Sequence, residues 1–245
     1  MLFTVALELL WIGWDIFPVA GSKEAIIVDD AFHLMTVLAI PVFTFVVTVI
    51  GYTLIKFRAQ GDEVVDGPPV RTHSPWVKFW LLWTTALCVA VIIHPGYTGL
   101  MELRETNSER ADLVVDVTGQ QWIWLFDYPD SGISNSTELV LPVNKLVRFN
   151  ISTPDSDVVH SFWVPAFRTK IDAVPGLTTN IDIVPTRIGD YNEDVNYRVQ
   201  CAELCGLNHA TMFARVRVVS EEDFNDWVAQ RSGKASTTST GGSSS

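Results

Sequence analysis

Cysteine is scarce in this chain of 245 residues, where only Cys88, Cys201 and Cys205 occur. No C-x-x-C-H run is present, which excludes covalently attached haem. No second Cys/His pair follows at the distance found in zinc fingers, which argues against a structural zinc site. Basic side chains are also sparse. The chain has 17 Lys and Arg but 28 Asp and Glu, which gives a formal net charge of −11.

Two of the three cysteines belong to a compact run near the end of the chain, Cys201-Ala-Glu-Leu-Cys205-Gly-Leu-Asn-His209-Ala-Thr-Met212. Thiolate and thioether donors select copper(I), and imidazole suits both copper states. Zinc is the main competitor, but methionine is a poor zinc ligand and the spacing is C-x₃-C rather than C-x₂-C. A disulfide between Cys201 and Cys205 is a further alternative outside the cytosol. Copper is favoured because a second histidine, His160, is available.

His160 lies in the run V-V-H-S-F-W-V-P-A-F-R-T-K-I-D-A-V-P-G. Alone, a histidine in an apolar strand is more often a packed core residue than a ligand. Together with the run C-x-E-x-C-x₃-H-x₂-M, however, it resembles subunit II of the haem–copper oxidases, the cytochrome c oxidase family. Both runs match that family position for position. With the segment Gln121-Trp122-Ile123-Trp124 and two apolar runs, the resemblance covers nearly all of residues 31–231.

The resemblance implies a binuclear copper centre, CuA, with ligands from both runs. These would be bridging thiolates of Cys201 and Cys205, one imidazole for each copper from His160 and His209, and weak ligands from the Met212 thioether and the Glu203 backbone carbonyl. The Glu203 carboxylate would in addition bind a magnesium ion shared with subunit I. Two bridging thiolates spread one electron over both metals, which suits electron transfer and needs no substrate pocket.

Two apolar runs, at residues 31–57 and 76–101, predict a transmembrane hairpin. Each exceeds the about 20 residues that a helix needs to cross a bilayer. Buried helices of a soluble protein are the alternative, which two such runs within seventy residues disfavour. Four basic residues lie in or beside the connecting loop, namely Lys56, Arg58, Arg71 and Lys78. The positive-inside rule therefore predicts a cytoplasmic loop, with the N-terminus and the C-terminal domain outside a bacterial cell membrane.

Residues 1–30 are predicted to form an extracytoplasmic or interfacial segment. Its first part, residues 1–19, is apolar but is interrupted by Glu8 and Asp15. It lacks the basic n-region of a secretory signal. An interfacial segment, or one packed on a partner subunit, is favoured, and an extra span is the alternative.

From Ala111 onward the hydrophobic periodicity becomes two. Six runs alternate polar and apolar residues, at 112–118, 137–141, 146–151, 179–184, 196–200 and 212–219. This is typical of an antiparallel sandwich and suits a Greek-key barrel, and the resemblance implies a cupredoxin domain at 111–231. Ser220 is predicted to cap an acidic helix. Residues 232–245, almost all Ser, Thr and Gly, are predicted to be disordered.

The aromatic run at 120–128 contains Trp122, Trp124 and Phe126. Such alternation usually reflects core or cross-strand packing. In the family, the first Trp of this run lies above the copper site and receives the electrons, which here is Trp122. Gln120 replaces the histidine of the usual G-H-Q-W. Residues 112–231 contain 17 Asp and Glu but 9 Lys and Arg, so a basic donor such as cytochrome c would be steered to the domain.

The resemblance implies the electron-accepting subunit of a terminal cytochrome c oxidase. Electrons from an extracytoplasmic carrier would pass through CuA to haem in subunit I, where oxygen is reduced to water and protons are pumped. Subunits I and III would be the membrane partners. A CuA-containing nitric oxide reductase is the alternative. A quinol-oxidase-type subunit without copper is disfavoured by the complete ligand set, and the soluble nitrous oxide reductase by the two spans.

One family feature is missing. Many subunits II carry a glutamate about one helical turn before a Trp, near the cytoplasmic start of the second span and at the mouth of a proton-uptake route. Here no carboxylate occurs in residues 68–91, and the residue one turn before Trp80 is Val77, with Lys78 beside it. Lys78 is expected to act as an interfacial anchor. Proton uptake would then use a partner-chain carboxylate, or Glu63 or Asp66 of the loop.

Overall fold

The computed structural model describes residues 2–14, 17–58, 72–106 and 110–238. The chain divides into two compact units, one formed by residues 1–16 and 30–101 and the other by residues 17–29 and 102–245. Glu63 and Asp66 of the loop lie outside the described residues.

Two helical segments are long and apolar enough to cross a membrane, Lys23–Lys56 and Ser74–Arg104. The first, helix α2, begins eight residues before the predicted start of the first span, so residues 23–30 are not part of a separate N-terminal segment. The reason is a cap, because the backbone N–H of Ala25 donates to Ser22 Oγ at 3.1 Å. The second segment consists of α3, Ser74–Val91, and α4, Thr98–Thr106, joined by a π-helical turn.

That π-helical turn covers Ile92–Tyr97. Pro95 cannot donate a backbone hydrogen bond, and His94 leaves the helical region with φ −139° and ψ 121°. The His94 ring contacts the start of α4, where its Nδ1 lies 2.8 Å from Thr98 Oγ1. The helical path is therefore interrupted by a kink at His94, next to Pro95-Gly96, between α3 and α4.

Helix α1, Leu2–Gly13, packs against α2 within the first unit. Thr4 Oγ1 lies 2.9 Å from Thr44 Oγ1, and the Trp11 and His33 rings are 5.4 Å apart. Its 12 residues extend for about 18 Å. That is shorter than the roughly 30 Å hydrocarbon core, so this helix does not provide an extra span.

The second unit contains two sheets. Its strands are β1 (Leu113–Gln120), β2 (Ile123–Tyr128), β3 (Ile133–Ser136), β4 (Glu138–Pro142), β5 (Val147–Ser152), β6 (His160–Val164), β7 (Thr169–Ala173), β8 (Thr179–Ile183), β9 (Gly189–Asp190), β10 (Arg198–Cys201) and β11 (Phe213–Val219). One sheet has the order β3-β2-β1-β5-β8, and the other β4-β11-β10-β6-β7 with β9 beside β11. The purely antiparallel prediction is wrong at two places, because β1 pairs with β5 and β4 with β11 in parallel.

The core lies between the two sheets. Burial alternates along β1 and β5 as the period of two predicts. The largest fully buried side chains are aromatic, among them Trp124, Tyr128 and Phe162. The Trp124 ring meets the edges of Phe162 and His160, with centroids 5.9 and 6.1 Å away. The aromatic run is therefore mostly core, and Trp124 supports the strand on which His160 lies.

The segment 17–29, which includes the first residues of α2, is bound to the barrel. Its main contact is Arg168, whose φ is 56° and whose guanidinium donates to both Asp29 carboxylate oxygens at 2.8 and 2.9 Å. The same group donates to the backbone carbonyls of Pro18 and Pro165. Segment 17–29 is thus a part of the second unit rather than a free tail.

The C-terminal helix α5, Glu221–Thr238, begins at Ser220, whose Oγ accepts the backbone N–H of Asp223 at 3.1 Å. The helix continues past Ser232, so the predicted disorder is wrong for residues 232–238. Ser232 Oγ donates to the Ser131 carbonyl at 3.0 Å, and Trp227 packs on Tyr128 with centroids 5.1 Å apart. These contacts hold the helix against the barrel. Residues 239–245 lie outside the described part.

Candidate metal centre

Three neighbouring strands of one sheet carry the predicted ligands to the same end. His160 is the first residue of β6, Cys201 is the last of β10, and Met212 immediately precedes β11. The order β11-β10-β6 makes them adjacent, and the backbone N–H of Cys201 donates to the Met212 carbonyl at 3.1 Å. The loop from residue 202 to 211 then folds over this end and supplies Glu203, Cys205 and His209.

All six predicted metal-binding residues come together. The two cysteine sulfur atoms, Cys201 Sγ and Cys205 Sγ, are 3.7 Å apart. Each lies beside one imidazole, with His160 Nδ1 3.8 Å from Cys201 Sγ and His209 Nδ1 3.6 Å from Cys205 Sγ. Met212 Sδ lies 3.7 Å from Cys205 Sγ, and the Glu203 carbonyl oxygen lies 3.2 Å from Cys201 Sγ. Both thiols are free and buried. A disulfide needs sulfur atoms about 2.05 Å apart, so the structure does not adopt the disulfide alternative.

The Cys205 thiol is protonated when no cation is near. Burial raises the pKa of this thiol to about 12, and the hydrogen bond and charge of Cys201 add to the shift. A metal must therefore displace the Cys205 proton to bind here. The donor set of sulfur and imidazole nitrogen suits a soft ion, and copper fits it better than hard-oxygen metals do.

Trp122 is hydrogen-bonded to the metal-binding loop. Its Nε1–H donates to the Cys205 carbonyl at 3.2 Å, and Gln121 Nε2–H donates to the same oxygen at 2.7 Å. Gly206 permits this approach, because its φ of +114° disfavours other residues and an added Cβ would lie 3.1 Å from Gln121 Nε2. The half-buried Trp122 ring is thus hydrogen-bonded directly to Cys205, one of the two cysteines of the cluster.

Sequence reasoning did not identify Asp157. Its carboxylate accepts the backbone N–H groups of Gln121 at 2.9 Å and Val158 at 2.7 Å, and lies 3.5 Å from His160 Nε2. Burial alone would raise the pKa of this carboxyl, but those hydrogen bonds and His160 outweigh it and lower the pKa. The spacing D-x-x-H, which Asp157 matches and the exposed Asp155 does not, was the available signal, but spacing alone does not show that the carboxylate contacts the imidazole.

Three further side chains that the sequence singles out are exposed. The Glu203 side chain is exposed although its carbonyl faces Cys201, which leaves the carboxylate accessible. Cys88 lies on α3 in the other unit and is exposed. Lys78, also on α3, is exposed as well.

Residues 131–219 match the family described as cytochrome c oxidase subunit II, periplasmic domain. Cytochrome c oxidase subunit 2 of Thermostichus vulcanus is 32% identical over 92% of this chain and 82% of its own length. The chain belongs to the cytochrome c oxidase subunit 2 family. The same subunit of a Synechocystis strain is 31% identical over 90% of this chain and 77% of its own length. A solved structure, the periplasmic domain of oxidase subunit II of Bradyrhizobium japonicum, is 34% identical with a TM-score of 0.45, covering 51% of this chain and 97% of that one.

Membership confirms the resemblance seen in the two sequence runs. This subunit II is a component of a haem–copper oxidase, and its second unit has the expected cupredoxin-like β architecture. Its cluster of His160, Cys201 and Cys205 fits a copper site of the kind the family is known for.

Proposed function

We propose that this subunit accepts electrons from an external carrier at a binuclear CuA centre and passes them to haem in subunit I of a proton-pumping cytochrome c oxidase. The observation that supports this most is the continuous chain of donors, imidazole–thiol–thiol–imidazole, with each step between 3.6 and 3.8 Å. When bound, two coppers bridged by thiolates supply a site that gains and loses one electron with little rearrangement.

The arrangement of the histidines favours two metals over one. The donor atoms of His160, Cys201 and Cys205 all lie within 4.8 Å of one another, and His209 is outside that set. His160 is next to Cys201, whereas His209 is next to Cys205. Donors on a single tetrahedral ion with bonds of about 2.0–2.3 Å lie roughly 3.3–3.8 Å from one another. A donor set that does not fit within 4.8 Å therefore favours a second metal position for His209.

The membrane arrangement follows from charge. Four Lys and Arg lie in or beside the loop between the two apolar helical segments, so we place it in the cytoplasm and the metal-binding unit outside. The helical pair then serves as an anchor and as the packing surface for subunits I and III. This orientation puts Trp122 on the side from which a water-soluble carrier arrives.

Oxygen-dependent turnover of the complex that contains this chain tests the proposal. With a reduced carrier supplied, the complex should consume oxygen, and the copper centre should be reduced before the haem. Turnover with nitric oxide but not with oxygen would favour the reductase alternative. A complex that oxidises quinol without reducing any copper would contradict the proposal.

The exposed Glu203 carboxylate is proposed to bind magnesium together with residues of subunit I. Magnesium takes one or two carboxylates and keeps several waters, so a partner must supply the remaining ligands. In the assembled oxidase, Glu203→Gln should lose the magnesium, or manganese substituted for it, and keep both coppers because the backbone carbonyl is unchanged. Manganese resonance and copper content measure the two effects. A full and unshifted manganese signal in Glu203→Gln would refute the side-chain role.

The sign of the net charge of the electron carrier is a further prediction. The metal-binding unit has a large excess of acidic residues, so reduction by a basic cytochrome c should slow as salt rises. Charges beyond the Debye length, about 10 Å at 0.1 M ionic strength, are screened. Stopped-flow reduction at several salt concentrations measures this. A rate indifferent to ionic strength would point to a neutral or acidic carrier.

Lys78 is predicted not to belong to the proton path. It is exposed near the start of α3, where a lysine extends to the membrane interface. Lys78→Ala should leave steady-state turnover largely intact, as measured with an oxygen electrode. A loss of about tenfold, equivalent to roughly 1.4 kcal/mol in the barrier, with normal copper reduction, would place Lys78 on the proton path.

A further inference from the structure

The loop between β5 and β6 contains one partly shielded carboxylate. The Asp157 side chain is 11% exposed, and each of its oxygens accepts a backbone hydrogen bond. One bond comes from Val158 in the same loop, and the other comes from Gln121 beside Trp122. Asp157 therefore joins the loop that leads to His160 to the turn that holds the electron-accepting Trp.

The His160 imidazole depends on this carboxylate. The residue is completely buried, and its Nδ1 faces Cys201. Its Nε2 makes no hydrogen bond, and the nearest charged group is the Asp157 carboxylate 3.5 Å away. An imidazole that offers Nδ1 to a metal must carry its proton on Nε2, and a carboxylate at that proton fixes the tautomer and the ring orientation. The described structure places Asp157 at that position.

The second histidine lacks such a partner. His209 lies in a short 3₁₀ turn, is partly exposed, and has no carboxylate within ion-pairing distance among the described residues. The two ends of the donor chain are therefore electrostatically different. One end is buried beside a carboxylate, and the other is open to water.

We propose that Asp157 is a positioning residue, which fixes the Nε2–H tautomer of His160, links that ring to the Gln121–Trp122 turn, and makes the two metal positions inequivalent. This inference rests on the proposed function, in which His160 binds copper. A negative charge beside one imidazole stabilises the oxidised centre and draws positive charge toward the His160 end. Removing it should raise the reduction potential and shift unpaired-electron density between the two histidines.

The test compares Asp157→Asn and Asp157→Ala with Asp155→Asn, which removes an exposed carboxylate from the same loop. Asn retains one oxygen that can accept the Gln121 N–H, but its amide nitrogen replaces the oxygen that accepts the Val158 N–H and faces His160. It therefore removes the charge and keeps the bond that joins the loop to the Gln121–Trp122 turn. In the assembled oxidase, copper content, the midpoint potential of the copper centre and the nitrogen couplings of both histidines are measured. In the metal-free full chain, nitrogen chemical shifts of labelled histidine report the His160 tautomer.

Asp157→Asn is expected to keep its copper, raise the potential and change the His160 coupling more than the His209 coupling. Asp157→Ala should also lose the Nε2–H tautomer in the metal-free chain, whereas Asp155→Asn should match the wild type in each measurement. Wild-type potential and couplings in a fully loaded Asp157→Asn oxidase would overturn the inference while leaving the copper assignment intact. If the wild type itself binds no copper pair, the proposed function fails. An Nε2–H signal unchanged in Asp157→Ala would then overturn the inference on its own.

Discussion

Cys201→Ser and Cys205→Ser should each abolish the mixed-valence copper spectrum of this subunit. Each substitution removes one of two sulfur atoms 3.7 Å apart, and a single remaining thiolate cannot bridge two metals symmetrically. Serine is a poor ligand for a soft ion because its oxygen is harder than a thiolate. Optical and electron paramagnetic resonance spectra, together with copper content, measure the loss.

Cys88→Ser is the matched control, because this third cysteine lies on α3 in the other unit and is not a member of the cluster. It should leave the spectrum and the copper content unchanged. A variant at Cys201 or Cys205 that keeps the full mixed-valence spectrum would exclude that thiol as a bridge. Loss of the spectrum in Cys88→Ser would show that the substitutions act through folding or assembly.

Trp122→Ala should slow reduction by the external donor by orders of magnitude and leave both coppers in place. The indole is bonded through Nε1 to the Cys205 carbonyl at 3.2 Å and contributes no atom to the donor cluster. Removing the indole therefore removes the contact with the electron carrier and the hydrogen bond to Cys205, but it removes no metal ligand. Stopped-flow reduction by the carrier measures the effect, and reduction by a small inorganic reductant checks that the centre remains competent.

Trp122→Phe separates the two contributions of the indole, since it keeps an aromatic ring and removes the hydrogen-bond donor. Ile123→Ala, which truncates the neighbouring and partly exposed side chain, controls for a general disturbance of the turn. Near-normal reduction of Trp122→Ala by the carrier would exclude Trp122 as the electron-accepting residue. A slow reaction with the small reductant would show instead that the copper centre itself was damaged.

The ligand cluster was predictable because its residue types and spacing are restrictive. Thiols, imidazole and thioether at C-x₃-C-x₃-H-x₂-M leave few other uses for those side chains, and His160 follows from the accompanying run. The two apolar runs were predictable for the same reason, since their length exceeds what a soluble helix needs. The exact first residues of the helices were not predictable, because the beginning of α2 depends on a hydrogen bond that Ser22 accepts.

The features that could not be predicted from the sequence depend on contacts between segments that are distant along the chain. The parallel pairing of β1 with β5 and of β4 with β11 is not encoded in a period of two, which describes faces and not neighbours. The continuation of α5 depends on Ser232 reaching Ser131, about a hundred positions earlier. The contact of Asp157 with the imidazole became evident only when Gln121 and His160 were placed beside it.

Metal analysis of the purified wild-type chain, combined with its electron paramagnetic resonance spectrum, tests the central claim most directly. We expect two coppers per chain and one unpaired electron coupled to both copper nuclei. One zinc ion per chain with no colour, or one copper with hyperfine structure from a single nucleus, would contradict it.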